Sequence, residues 1–81
     1  MARYLLHLHN RTGHTRDDEG LDLPDVAAAR DEAIRSIRSI LSSEILEGQM
    51  DLDGRIDICG EDGETLAVVR FSEAVQLKAE A

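Results

Sequence analysis

Asp17-Asp18-Glu19-Gly20-Leu21-Asp22-Leu23-Pro24-Asp25 is the stretch on which the fold turns: a short extended segment meets a proline and then an alanine-rich helix. Pro24 has no N–H to donate, which suits the first turn of a helix, where that donor lacks an intrahelical partner. Asp22 or Asp25 can cap the same turn or favour it through the helix dipole.

Downstream, Val26, Ala33, Ile34, Ile37, Ile40, Leu41 and Ile45 share one broad stripe at helical periodicity, with Asp31, Glu32, Arg35, Arg38, Ser39 and Ser42 opposite. The pattern predicts one long helix of up to about 33 Å, supported by an Asp31–Arg35 pair and ended at Gly48. Upstream, Arg3 to His9 alternates as a strand, with Tyr4, Leu6 and Leu8 on one side and Leu5, His7 and His9 on the other. A turn at Asn10 to His14 then leads to a second, poorer strand from Thr15 to Leu23, weakened by Asp17, Asp18, Glu19 and Gly20.

Beyond the helix, Arg55 to Cys59 and Glu64 to Phe71 read as strands joined at Gly60-Glu61-Asp62-Gly63, whose Asp-Gly step favours a hairpin. In the last strand Leu66 and Val68 share one face, and Ala67, Val69 and Phe71 the other. Ser72 to Val75 suggests a capped helical turn, and Lys78 to Ala81 are expected to fray. The order is β-β-α-β-β, which predicts an α+β two-layer sandwich: an antiparallel four-stranded sheet with one long helix on one face. The 81 residues form a single domain, 1–81, with an aliphatic core, because the chain has one Tyr, one Phe and no Trp.

The second sheet face, carrying Leu5 or Leu6 and Ala67 and Val69 or their neighbours, is then left for a partner, which predicts a homodimer. The net charge of −8 argues against nucleic acid as a partner. Its distribution is uneven. Residues 1–16 hold Arg3, Arg11 and Arg16 without an acid, while residues 17–81 hold six bases against seventeen acids, so an anion would favour the first hairpin and a basic protein the remainder. Long apolar runs of membrane-spanning length are lacking, and the lone Cys59, with no apolar leader after Met1, points to a cytoplasmic protein.

His7 and His9 lie on one side of a strand, about 7 Å apart along it. His14, with Asp17 or Asp18, can join them across the turn, in a set suited to zinc or another borderline divalent ion. The same residues also suit an ordinary solvent-facing strand side. Asp51-Leu52-Asp53-Gly54 resembles part of a calcium loop, but Gln49 and Gly60 occupy positions that need ligands, and a strand follows where a helix belongs. Cys59 lacks a neighbouring cation to activate it, Glu61, Asp62 and Glu64 crowd a turn, and the helix serines lack a base, so no catalytic residues are assigned and an enzyme is not expected.

Arg3-Tyr4-Leu5-Leu6-His7, the Glu19-Gly20-Leu21-Asp22-Leu23-Pro24-Asp25 core, the Asp51-Leu52-Asp53 step and the Asp62-Gly63 hairpin ending at Phe71, with Ala74-Val75 after it, together resemble an uncharacterised family of small bacterial proteins, a domain of unknown function. The resemblance covers nearly the whole chain. Members usually carry phenylalanines at the places of Leu5 and Leu6, and more often arginine at that of His9, so the His-x-His pair is no family signature. A weaker likeness, through Leu23-Pro24-Asp25 and the helix after it, is to partial ribonuclease-H-like antitoxins. The combined expectation is a small non-catalytic interaction or regulatory module without a resident cofactor. Its alternatives are a metal or small-anion binder built on His7, His9 and His14, and an acidic, antitoxin-like protein that masks a basic partner.

Overall fold

A computed structural model describes residues 1–11 and 13–78. The elements are β1 (Ala2–Asn10), β2 (Gly13–Thr15), β3 (Leu21–Leu23), α1 (Val26–Leu46), β4 (Arg55–Gly60) and β5 (Thr65–Arg70), followed by a single 3-10 turn at Phe71–Glu73. All strand pairs are antiparallel, in the order β2-β1-β4-β5, with β3 also on β1. The fold is therefore α+β, as the element pattern predicts, with five strands in place of four. The expected end fraying falls mainly on Ala79 to Ala81, which lie outside the described residues.

The additional strand arises because the segment after the first turn pairs twice with the same neighbour. Thr15 lies opposite Leu8, Leu21 lies opposite Tyr4, and Arg16 to Gly20 between them leave the ladder. Acidic residues and a glycine disfavour continued pairing there. Gly20 has φ +73°, and a Cβ at that position would sit 2.8 Å from Leu5 Cδ2 and 2.9 Å from the Tyr4 carbonyl oxygen. Only a residue without a side chain lets this segment close so tightly onto β1.

Asp25 is the N-cap of α1, its Oδ1 accepting the Ala28 amide at 2.9 Å. Pro24 therefore stands just before the cap, not within the first turn, and Asp22 instead pairs with Arg3. At the other end Gly48 takes φ +86° and donates its amide to the Ile45 carbonyl. Along the helix Arg35 reaches Glu32, three residues away, at 3.8 Å, and not the Asp31 expected from sequence.

Ala29, Ala33, Ile37 and Leu41 form the buried line of the helix, each about one turn from the next. They pack with Tyr4, Ile56, Ile58, Val69, Phe71 and Ala74, and Leu6, Leu8 and Ala67 border this cluster. Val26 and Ile45, at the two ends of the apolar stripe, lie outside the buried positions Ala29 to Leu41 and remain 39% and 58% exposed.

Register decides which side of the last strand enters the core. Val69 is paired with Ile56 and Ala67 with Ile58, and cross-strand partners share a face. Val69 is thus fully buried beneath the helix, and the expectation that Ala67 and Val69 lie on the second face is corrected. Val68, opposite Asp57, lies on the open face and is 38% exposed. The alternation also breaks: a register shift between Ile58 and Cys59 sets Thr65, not Leu66, against Cys59.

Candidate functional site

The open face of the first hairpin carries the three histidines, and the topology brings them together. Pairing of Asn10 with Gly13 sets His14 directly opposite His9 on β1. Their rings stack with centroids 4.1 Å apart and planes within 5°, while His7 meets His14 edge-on at 6.1 Å. Beside them β4 contributes Asp57, opposite His7, and Arg55, opposite His9.

Two nitrogens of this cluster have partners. His7 Nδ1 accepts the backbone amide of Asp17 at 3.0 Å, so a neutral His7 carries its proton on Nε2. His9 Nε2 lies 3.1 Å from one Asp57 oxygen, and the Arg55 Nε donates to the other at 3.0 Å. Asp57 is thereby held between an imidazole and a guanidinium. Among the described residues, no group of three or more His, Cys, Asp or Glu side chains is arranged to hold a metal ion.

Asp17 fills the gap left in the sheet. Its Oδ2 accepts the Leu6 amide at 3.0 Å, and its Oδ1 accepts the amides of Gly20 at 3.0 Å and Glu19 at 3.3 Å. Partial burial pushes its carboxyl upward, but the hydrogen bonds from Leu6, Gly20 and Glu19, aided by the nearby His7, prevail and hold it below the ordinary carboxylate value. The Asp17 carboxylate thus stands in for a missing strand partner.

Each arginine of the basic first hairpin is engaged by an acid. Arg3 pairs with Asp22 at 3.2 Å, Arg16 with Asp18 at 3.3 Å, and Arg11 with both Asp51 at 3.4 Å and Asp53 at 2.8 Å. Hydrogen bonding to Asp22 raises the Arg3 guanidinium above its ordinary value, and hydrogen bonding to Asp53, with the charge of Asp51, does the same for Arg11. A small anion would therefore compete with carboxylates already in place.

Asp51 and Asp53, the residues of the partial calcium-loop pattern, tie the helix-to-strand connection together. Asp51 Oδ1 accepts the Asp53 amide at 3.0 Å, and the Asp51 amide donates to Glu44 at 2.9 Å. A hollow beside them is lined by Arg11, Glu44, Gln49, Met50 and Asp51. Cys59 is buried at 6% exposure, its Sγ 3.7 Å from Thr65 Oγ1.

Two features lie outside the sequence expectations. Asp57 joins His9 to Arg55 only because β1 and β4, nearly 50 positions apart, are neighbours. The apolar end of α1 is the other: Ile45 is 58%, Leu46 87% and Met50 36% exposed. The sequence signal for this end was present, in an apolar stripe running past the last buried residue, Leu41.

The family model described as a domain of unknown function (DUF6894) matches residues 3–72, and the chain belongs to that family. No curated protein and no solved structure matches the chain. The match spans β1 to the 3-10 turn, so it takes in the whole sheet and the helix, and it carries no activity with it.

Proposed function

We propose that this domain is a small non-catalytic interaction module that acts through protein–protein contacts. The observation that carries the reading is the apolar surface left bare at the end of α1, where Leu46 is 87% and Ile45 58% exposed although the core has closed at Leu41. Surface of this kind, rimmed by polar groups, is typical of contact sites. The described polar side chains fit the same reading: they are engaged in holding turns and strands, as Asp17, Asp51 and Asp57 show, and none that is buried lacks a hydrogen-bond partner.

The net charge of −8 favours a basic protein as the partner, the property that an antitoxin-like role shares. Self-association through the open sheet face remains the second form of the module. That face is half covered by its own residues: Leu5, His7 and His9 are each partly buried, while Leu66 and Val68 of β5 are exposed. A cytoplasmic setting accords with the single reduced cysteine, and no helix among the described residues is long and apolar enough to cross a membrane.

The test is sedimentation of the chain at its natural abundance in clarified lysate of its own cells. Migration in a defined species heavier than the monomer supports the module; migration as a free monomer at all concentrations contradicts it.

A further inference from the structure

We infer that the C-terminal end of α1 docks a cationic amphipathic segment of another protein. This rests on the interaction-module reading and names the surface and the chemistry of the partner.

The apolar component is explicit. Ile45, Gly48, Gln49 and Met50 line a shallow hollow where the chain leaves the helix, and Leu46, 87% exposed, projects beside it. Gly48 makes this shape possible. Its φ of +86° turns the chain sharply, and the Gly48 and Gln49 amides donate to the Ile45 and Glu44 carbonyls, which brings Met50 back beside Ile45.

The charge component selects the occupant. From Ser39 to Gly54 the chain carries Glu44, Glu47, Asp51 and Asp53 and no basic residue. The last helical turn has no cation, so the partial negative charge of the helix end adds to these carboxylates. Arg11 comes from the neighbouring hairpin, but Asp51 and Asp53 share its one charge, and Glu44 and Glu47 have no ion-pair partner among the described residues. Two copies meeting through this end would place like charges together, as a two-fold contact must. Anionic lipid and nucleic acid are repelled for the same reason. A helix with Leu or Ile on one face and Lys or Arg along its border satisfies both components.

The test uses the full chain, isotope-labelled, and a synthetic peptide of about 18 residues that pairs a leucine face with a lysine face as a helix. Its counterpart replaces every lysine with glutamate. The expected result is saturable binding of the lysine peptide, with chemical-shift changes concentrated at residues 44–51. Affinity should fall at least about tenfold for the glutamate peptide and for the I45S/L46S variant, and should fall measurably for E47K. Ile45 and Leu46 are exposed, so I45S/L46S should keep the wild-type thermal midpoint, which a melting curve checks. Shifts spread over the whole surface, or equal binding by I45S/L46S, would overturn the inference. A native complex whose protected amides lie on the sheet face would overturn this docking surface while leaving the module reading intact, whereas a chain that is monomeric in its own lysate would remove both.

Discussion

His7 and Asp17 are locked together by main-chain chemistry: the Asp17 amide donates to His7 Nδ1 at 3.0 Å, and the Asp17 carboxylate accepts the amide of Leu6, the residue preceding His7, at 3.0 Å. This contact sits between the two stretches of β1 that have true strand partners on that edge, Ala2 to Tyr4 and Leu8 to Asn10. It joins β2 and β3 into one continuous edge without a continuous strand. His7, a candidate ligand in the alternative metal-binding reading, is thus part of the scaffold.

Replacing Asp17 with Ala leaves three backbone amides without their acceptor, and hydrogen bonds to a charged group contribute roughly 1.5–3 kcal/mol each before water replaces part of them. The expected loss is about 2 kcal/mol of folding stability, measured by urea unfolding. The pH dependence has a definite sign. The folded carboxyl is held below its ordinary value of 3.8, so its contribution is complete above that pH and declines as pH falls toward the lower folded value. D17A should therefore flatten the acid limb of the stability profile below about pH 4. An unchanged acid limb would remove Asp17 from this role.

Gly54 packs beneath the Phe71 ring. A Cβ there would approach Phe71 Cζ at 2.8 Å, Cε2 at 2.9 Å and the His9 carbonyl oxygen at 3.0 Å. The Phe71 amide also donates to the Gly54 carbonyl at 2.9 Å, so the ring cannot easily back away. G54A is predicted to destabilise by about 1–3 kcal/mol, the usual cost of overpacking, and a thermal midpoint equal to wild type would contradict the packing described.

Neighbouring valines should respond oppositely to charge. Val69 is fully buried against Ile56, so V69E places an unpaired carboxylate in the core and is expected to unfold the domain. Val68 lies outside on the open sheet face, and V68E is expected to shift stability by no more than about 1 kcal/mol. Circular dichroism melts of the two variants decide the face assignment, and a folded V69E would reverse it.

Zinc taking His7 Nδ1 or His9 Nε2 as a ligand has to displace an existing partner. Binding through His7 Nδ1 breaks the Asp17 contact, and binding through His9 Nε2 separates it from Asp57. Calorimetric titration should give a dissociation constant weaker than about 1 mM. Tight binding that is lost in H7A/H9A would instead make the three imidazoles a metal site.

Much of the scaffold was legible because its signals are local. The Asp-Gly step at Asp62-Gly63, the alternation of Tyr4, Leu6 and Leu8, and the stripe through Ala33, Ile37 and Leu41 each depend on residues close in sequence. The placement of Val69 depended on a long-range choice, since strand alternation separates two faces without saying which one meets the helix. The weak point of the second strand at Asp17 to Gly20 was legible from propensity, but the Asp17 side chain replacing a backbone partner there was not. At the candidate site, the nearness of His7, His9 and His14 was legible from their spacing around a hairpin, but the commitments of their nitrogens were not. Asp57 lies on a strand remote in sequence, and the Asp17 amide carries no side-chain signal at all.

The most direct test compares the wild-type chain with I45S/L46S, each at natural abundance in its own cells, by cross-linking and native mass. Wild type should be recovered in a heavier complex of defined mass, and I45S/L46S, equally folded, should return to the monomer. A wild-type chain found only as the monomer, or an I45S/L46S variant that keeps the same complex, would contradict an interaction module built on the exposed end of α1.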